Sequence, residues 1–215
     1  MRERRSVVPP TANRLREAAC RVACSWPPAS THRRAHDRGQ RGRSRRILGD
    51  VNFRIEQKVA APVDLVEAAL VDAEFIAATA ELPKVGGAEL LDQQRDGDRV
   101  KQRIRYRFTG ELSSAVTAVV DRDRLTWVDE ADYDLGSHRS EHRIVPDHYG
   151  NRLQASYSDR LEPDGVGGTR RVAAGTVKVR MPLVGGRVER AIVSGLEEHA
   201  AAETALLERW VTGNG

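Results

Sequence analysis

Cysteine is nearly missing from this chain: two of 215 residues, Cys20 and Cys24. One pair cannot build a disulfide framework, and with no second Cys or His pair at matching spacing it calls for no zinc site. Aromatic residues are also scarce, at 5%, which argues against a surface that reads bases by stacking. No apolar run approaches the roughly 18 residues that a membrane span needs. Neither a P-loop nor a G-x-G-x-x-G is present, so no nucleotide cofactor is implied. No serine, cysteine or aspartate sits in a recognisable nucleophile motif.

Lysine is missing from residues 1–50, and that absence divides the chain. The segment carries 13 arginines against four acids (Glu3, Glu17, Asp37 and Asp50), a net charge of +9. The other 165 residues carry 22 bases and 27 acids, a net of −5. Pro9-Pro10 and Pro27-Pro28 break helices, and the run from His32 to Arg46 has almost nothing apolar, so a disordered Arg-rich tail is expected. Three readings stay open for it. It can be an arm for nucleic acid, or a targeting segment without the apolar stretch of a secretory signal. It can also be a mis-called start, since arginine without lysine is what GC-rich DNA yields in most frames. Val51 then stands where an internal GUG initiation codon would be written.

From Val51 onward the hydrophobic period is two. Val51, Phe53 and Ile55 alternate with Asn52, Arg54 and Glu56, the pattern of a half-buried strand. Pro62 opens a short helix over Val63 to Leu70, and a second is expected around Ala73 to Ala80, stopped by Pro83. Glu89 to Leu91 leads to a tight turn at Asp96-Gly97. In the next strand Val100, Gln102, Ile104, Tyr106 and Phe108 face one way, and Lys101, Arg103, Arg105 and Arg107 the other. An antiparallel sheet covered on one side gives that alternation. Further strands are expected at about Ser114–Asp121, Arg124–Asp132, Ser137–Val145, Arg152–Glu162 and Thr169–Met181. A bulge or sharp bend is expected at Gly175, where the buried parity changes. A long helix then runs from about Arg187 to Val211. Its stripe of Val188, Ile192, Leu196, Leu206 and Trp210 is interrupted by His199 and Glu203.

The order of elements, the opening strand before Pro62-Val63, and Met181-Pro-Leu-Val-Gly-Gly-Arg-Val-Glu-Arg-Ala-Ile192 entering the last helix carry a resemblance. Residues 51–212 resemble the START/Bet v 1-like superfamily (polyketide cyclase/dehydrase and lipid transport, SRPBCC), and within it an actinobacterial family of unknown function. The resemblance implies an α+β helix-grip fold: a curved antiparallel sheet of about seven strands wrapped on a long C-terminal helix, with two short helices after strand one. It also implies a cavity for lipids, polyketides or other hydrophobic small molecules. Some relatives are cyclases or dehydratases, and others are carriers; no catalytic residue is transferred. Strand-by-strand reading gives one strand more than usual, so one assignment should be a continuation.

His138-Arg-Ser-Glu141-His142 fits the H-x-x-E-H pattern of inverted zinc peptidases. On a strand, residues four apart are separated by about 13 Å, too far to share one ion. The strand reading instead leaves His138, Ser140, His142 and Ile144 on one face, where an imidazole can line a cavity or only satisfy wall hydrogen bonds. His199 and Glu203 can pair on the last helix. Tyr106, Trp127 and Tyr157 can turn ring faces into a pocket or serve as core. The candidate ligand-binding set is therefore Tyr106, Trp127, His138, His142, Tyr157, Val177, Ile192, Leu196 and His199, with no metal and no cofactor. The expectation is a cytoplasmic, non-enzymatic binder or carrier of a hydrophobic small molecule. A cyclase- or dehydratase-like enzyme using a cavity histidine is the first alternative, and nucleic-acid interaction through the N-terminal arm the second.

Overall fold

The computed structural model describes residues 51–112, 114–118, 120–182 and 184–213. The expectations for the Arg-rich tail, residues 1–50, lie outside these. The elements follow the order β1 (Val51–Val59), α1 (Val63–Leu70), α2 (Ala73–Ala78) with a 3-10 turn (Thr79–Glu81), β2 (Val85–Asp96) and β3 (Arg99–Phe108). There follow α3 (Ser114–Thr117), a second 3-10 turn (Arg122–Arg124), β4 (Thr126–Asp134), β5 (Arg139–Pro146), β6 (Leu153–Pro163), β7 (Thr169–Val179) and α4 (Gly185–Val211). All seven strands form one antiparallel sheet in the order β1-β7-β6-β5-β4-β3-β2. The 27-residue α4, about 40 Å long, lies across it and touches both ends of that order, through β1 and β7 and again through β2. The fold is the expected α+β helix grip, with the expected seven strands.

Two local expectations are corrected. The strand anticipated at Ser114–Asp121 is not one, for β3 pairs directly with β4 from Arg99↔Asp134 to Arg107↔Thr126 and leaves it no slot. Its residues lack strict alternation; they make the one-turn α3, and Asp121 caps the 3-10 turn by accepting the Asp123 N–H at 3.0 Å. Of the bulge or sharp bend expected at Gly175, the bulge is absent. Gly175 pairs in unbroken register with Phe53 and Tyr157. A Cβ there would lie 2.2 Å from the Ser156 carbonyl oxygen and 2.5 Å from the Tyr157 Cβ. Glycine is required for close strand approach rather than for an extra residue.

The helix-entry motif has a mechanical role. A Cβ on Gly185 would stand 2.5 Å from the Val179 carbonyl oxygen, and Glu189 Oε1 accepts the Val179 N–H at 2.8 Å. The start of α4 is thereby fixed to the end of β7.

Packing is uneven along the strands. At one end α1, α2 and the last turns of α4 close on the sheet. Val59, Val66, Phe75, Val100, Leu161 and Leu207 are buried there, with Trp210 edge-on to Phe75 at 5.6 Å. Asp72 caps α2 by accepting from the Glu74 and Phe75 N–H groups at 2.7 and 3.1 Å.

Candidate functional site

Directly paired residues of antiparallel strands share a face, so the register defines what the sheet presents to α4. From the packed end outward the concave face reads Val59, Gln57, Ile55, Phe53 on β1 and Thr169, Arg171, Ala173, Gly175, Val177 on β7. It continues with Leu161, Asp159, Tyr157, Ala155 on β6 and Ser140, His142, Ile144 on β5. Tyr133, Ala131, Asp129, Trp127 on β4 and Val100, Gln102, Ile104, Tyr106 on β3 complete it. β1, β3, β4 and β6 run from apolar, through polar, to apolar again, whereas β5 and β7 begin polar and end apolar. The polar positions step diagonally across neighbouring rows of the sheet as a buried belt between its two ends.

Two hydrogen-bonded groups make up the belt. On β5 and β4, His142 donates its Nδ1–H to Asp129, at 3.1 Å from each carboxylate oxygen. That bond fixes the tautomer and leaves Nε2 to accept from the Ser140 hydroxyl at 2.9 Å. Tyr157 donates its hydroxyl to Asp129 Oδ2 at 3.0 Å and stacks flat on the imidazole, centroids 4.1 Å apart. Tyr133 stands edge-on to the same ring and accepts from Gln102 at 3.2 Å. On β7, Arg171 bonds Asp159 through Nε and Glu203 of α4 through Nη1, the latter at 2.7 Å. Gln57 reaches α4 as well, donating to the Ala200 carbonyl at 2.8 Å and to Thr204 at 2.9 Å.

Charge explains the proton states. Burial, and after it the Asp129 charge, holds the Tyr106 and Tyr157 phenols well above the ordinary value, so both remain neutral donors. Burial, the largest single influence, opposes ionisation of Glu203, but the charges of Arg171 and His199 together with hydrogen bonds to the carboxylate outweigh it and keep the carboxyl below its usual 4.5.

Beyond the belt the concave face changes character. Phe53, Ile55, Tyr106, Trp127, Ile144 and Ala155 are inward-facing yet only half-buried, and so are Ile192 and Leu196 of α4. Those two lie one and two turns before Ala200, on the helix side that Gln57 and Arg171 hold to the sheet. Phe53 leans on Tyr157 and Tyr106 on Trp127, each pair with centroids 6.3 Å apart.

The candidate residues are thus distributed unequally. Tyr106, Trp127, His142, Tyr157 and Val177 share the concave face, and Ile192 and Leu196 oppose it. Val177 is 1% exposed and is wall structure. His138 does not join His142. It precedes β5 in a left-handed turn (φ 55°), and its Nδ1 bonds Glu67 Oε2 of α1 at 3.1 Å, at the packed end. The strand starts two residues later than expected, at Arg139 rather than Ser137, so His138 lies outside it and the H-x-x-E-H spacing has no common face. His199 does not pair with Glu203 either. It reaches toward the Pro83 carbonyl at 3.4 Å, while Glu203 is taken by Arg171. Asp129, Asp159 and Arg171 escaped the sequence reading, and Ser140 was placed on the inward face without its partners. Their signal was a charged or hydroxyl residue at the inward parity of four separate strands, which only the register brings together.

The outer face is different chemistry. The expected stripe of Arg103 and Arg105 alternates with acids: Arg103 pairs Glu130, and Arg105 pairs Glu89 and Asp147. Lys101 and Arg99 pair Asp132. Two open grooves of about 480 and 490 Å3 run along the sheet, and the charged side chains of Lys101, Arg103, Glu130 and Asp132 are among those lining the first. Among the described residues no helix is long and apolar enough to cross a membrane.

Similarity to known proteins agrees with the architecture. TTHA0849 from Thermus thermophilus superposes with a TM-score of 0.54 at 20% identity, over 76% of this chain and 98% of that one. The Zhui aromatase/cyclase from Streptomyces sp. R1128 gives 0.55 at 17%, over 76% and 94%. A START superfamily protein from Mycobacterium smegmatis gives 0.49 at 16%, over 75% and 99%. Comparison with curated proteins found no match. Residues 54–211, nearly the whole of the described grip, match the model of the family described as Protein of unknown function (DUF2505), and the chain belongs to that family.

Proposed function

We propose that the protein binds or carries a hydrophobic small molecule between the open half of the sheet and the first turns of α4. The supporting observation is the half-buried apolar wall of Phe53, Ile55, Trp127, Ile144 and Leu196. Inward-facing apolar side chains of a well-packed domain are normally buried to interior density, as those below the belt are. Concave apolar surface with a few convergent polar groups is the common form of a ligand site. Transfer of an apolar guest onto this wall gains roughly 25 cal/mol for each Å2 removed from water. The stacked Tyr157 and His142 rings, with the Asp129 carboxylate they hold, orient the guest's polar end. A soluble, cytoplasmic carrier agrees with this reading.

Binding of the neutral fluorescent dye N-phenyl-1-naphthylamine to the full chain tests it. A saturable, one-to-one blue shift is expected. Ala155→Phe, which fills the wall between Ile144 and Val177, should abolish it while leaving the circular dichroism spectrum intact. No saturable binding by the parent chain would sink the reading.

A second reading is an enzyme of the cyclase or dehydratase kind. Its support is the Ser140–His142–Asp129 chain, in which a carboxylate orients an imidazole; the Streptomyces protein of like fold is an aromatase/cyclase. Both imidazole nitrogens are engaged here, and Ser140 lies on the packed side of His142, so binding is the better-supported function. Turnover of a polyketone lost in His142→Gln, with dye binding retained, would favour the enzyme.

A further inference from the structure

The belt that floors the open half is short of positive charge. Asp129, Asp159 and Glu203 supply three carboxylates, and Arg171 is the one permanent cation bonded among them. With His142 neutral the group carries a net −2, and with His142 protonated a net −1. Arg171 is shared by Asp159 and Glu203, whereas Asp129 is held only by an imidazole and a phenol. Buried carboxylates are ordinarily matched by cations, and here one is not. His199, the remaining titratable group of α4 near the belt, turns its Nδ1 toward the Pro83 carbonyl and bonds no belt carboxylate, so it acts on Glu203 only through space.

We propose that the site takes an amphiphile whose polar end is an ammonium group, and discriminates against one ending in a carboxylate. This rests on the binding role proposed above. Asp129 is 8% exposed and faces the concave side beside Trp127 and Tyr157. An ammonium at the foot of the apolar wall would meet this carboxylate and the faces of aromatic rings, and both attract cations. A carboxylate there would add a fourth like charge in a low-dielectric setting. The high phenol values of Tyr106 and Tyr157, raised by burial and then by Asp129, report the same field. Arginines 107, 122, 124, 152, 180 and 187 beyond the open strand ends are exposed, so water and salt screen them far more than the buried belt.

The test is displacement of N-phenyl-1-naphthylamine from the full chain at pH 7 by dodecylamine, dodecanol and dodecanoate, each below its micelle concentration. The three probes share one chain length and differ only in the charge of the polar end. Dodecylamine should displace the dye at a concentration roughly tenfold or more below dodecanoate, with dodecanol between them. Asp129→Asn should collapse that ratio toward one, and Glu203→Gln should reduce it while keeping the Arg171–Asp159 pair. Equal or better displacement by dodecanoate overturns the proposal and leaves the binding role standing. Failure of the dye to bind the parent chain overturns both. A ratio unchanged in both variants, with folding confirmed by circular dichroism, also overturns it, since the selectivity would then arise elsewhere.

Discussion

The two halves of the concave face share the same strands and the same helix, yet they are built for different ends. Below the belt, α1, α2 and the last turns of α4 bring Val66, Phe75 and Leu207 to 1% exposure or less. Above it, Phe53, Trp127 and Leu196 face inward and remain half-buried. The difference teaches that helix coverage, not strand composition, decides where this sheet is packed. The short helices after β1 cover one half, and over the other stands the start of α4, fastened by Gly185 and Glu189, with Pro83 and Lys84 against it at His199 and Glu198.

Substitutions can break that comparison. The largest effect is expected from Arg171→Leu, which leaves Asp159 and Glu203 without their cation and should cost about 3–5 kcal/mol in urea denaturation. A cost below about 1 kcal/mol would mean that water reaches the belt. Leu207→Ala, in the packed half, should cost about 2–5 kcal/mol by loss of transfer energy and a residual cavity. A smaller change concerns pH. Glu203 titrates below its ordinary 4.5 in the fold, so its share of stability is present above that value and is lost as the pH falls through the lower, folded one. Glu203→Gln should flatten the acid limb of a stability–pH curve, and an unchanged limb would assign it to other carboxylates. The smallest stability effect is expected for Leu196→Ala in the open half, about 1 kcal/mol or less, because its side chain already meets water. The same variant should weaken dye binding, so the two halves would separate into one that carries stability and one that carries affinity. A Leu196→Ala cost equal to that of Leu207→Ala would erase the distinction.

Much of the scaffold was legible in the sequence because period-two and period-3.6 patterns act locally. β1, α1 and β3 fall where alternation, Pro62 and the Asp96-Gly97 turn put them. The strand expected at Ser114–Asp121 failed because hairpin spacing alone says nothing about whether a neighbour's edge is already taken. The bulge, one of the two forms expected at Gly175, failed for a related reason. A parity change among Val172, Ala174 and Val177 looks the same whether a residue is inserted or two strands approach closely over a glycine.

The site was legible only in pieces. Tyr106, Trp127, His142 and Tyr157 could be assigned to an inward face from alternation, but Asp129, Asp159 and Arg171 read as ordinary polar strand residues. His138 was misplaced by a single residue at a strand end, enough to turn it from His142 to Glu67.

By itself, the sequence determined the order of elements, the two-faced sheet and the long closing helix, since each depends on neighbours a few positions apart. Tertiary structure alone decided which polar side chains meet, because the belt gathers residues from six strands and α4 whose alignment depends on register. It also decided that two buried carboxylates share one guanidinium while a third, Asp129, is left to an imidazole and a phenol, an arrangement that no linear count of charges could disclose.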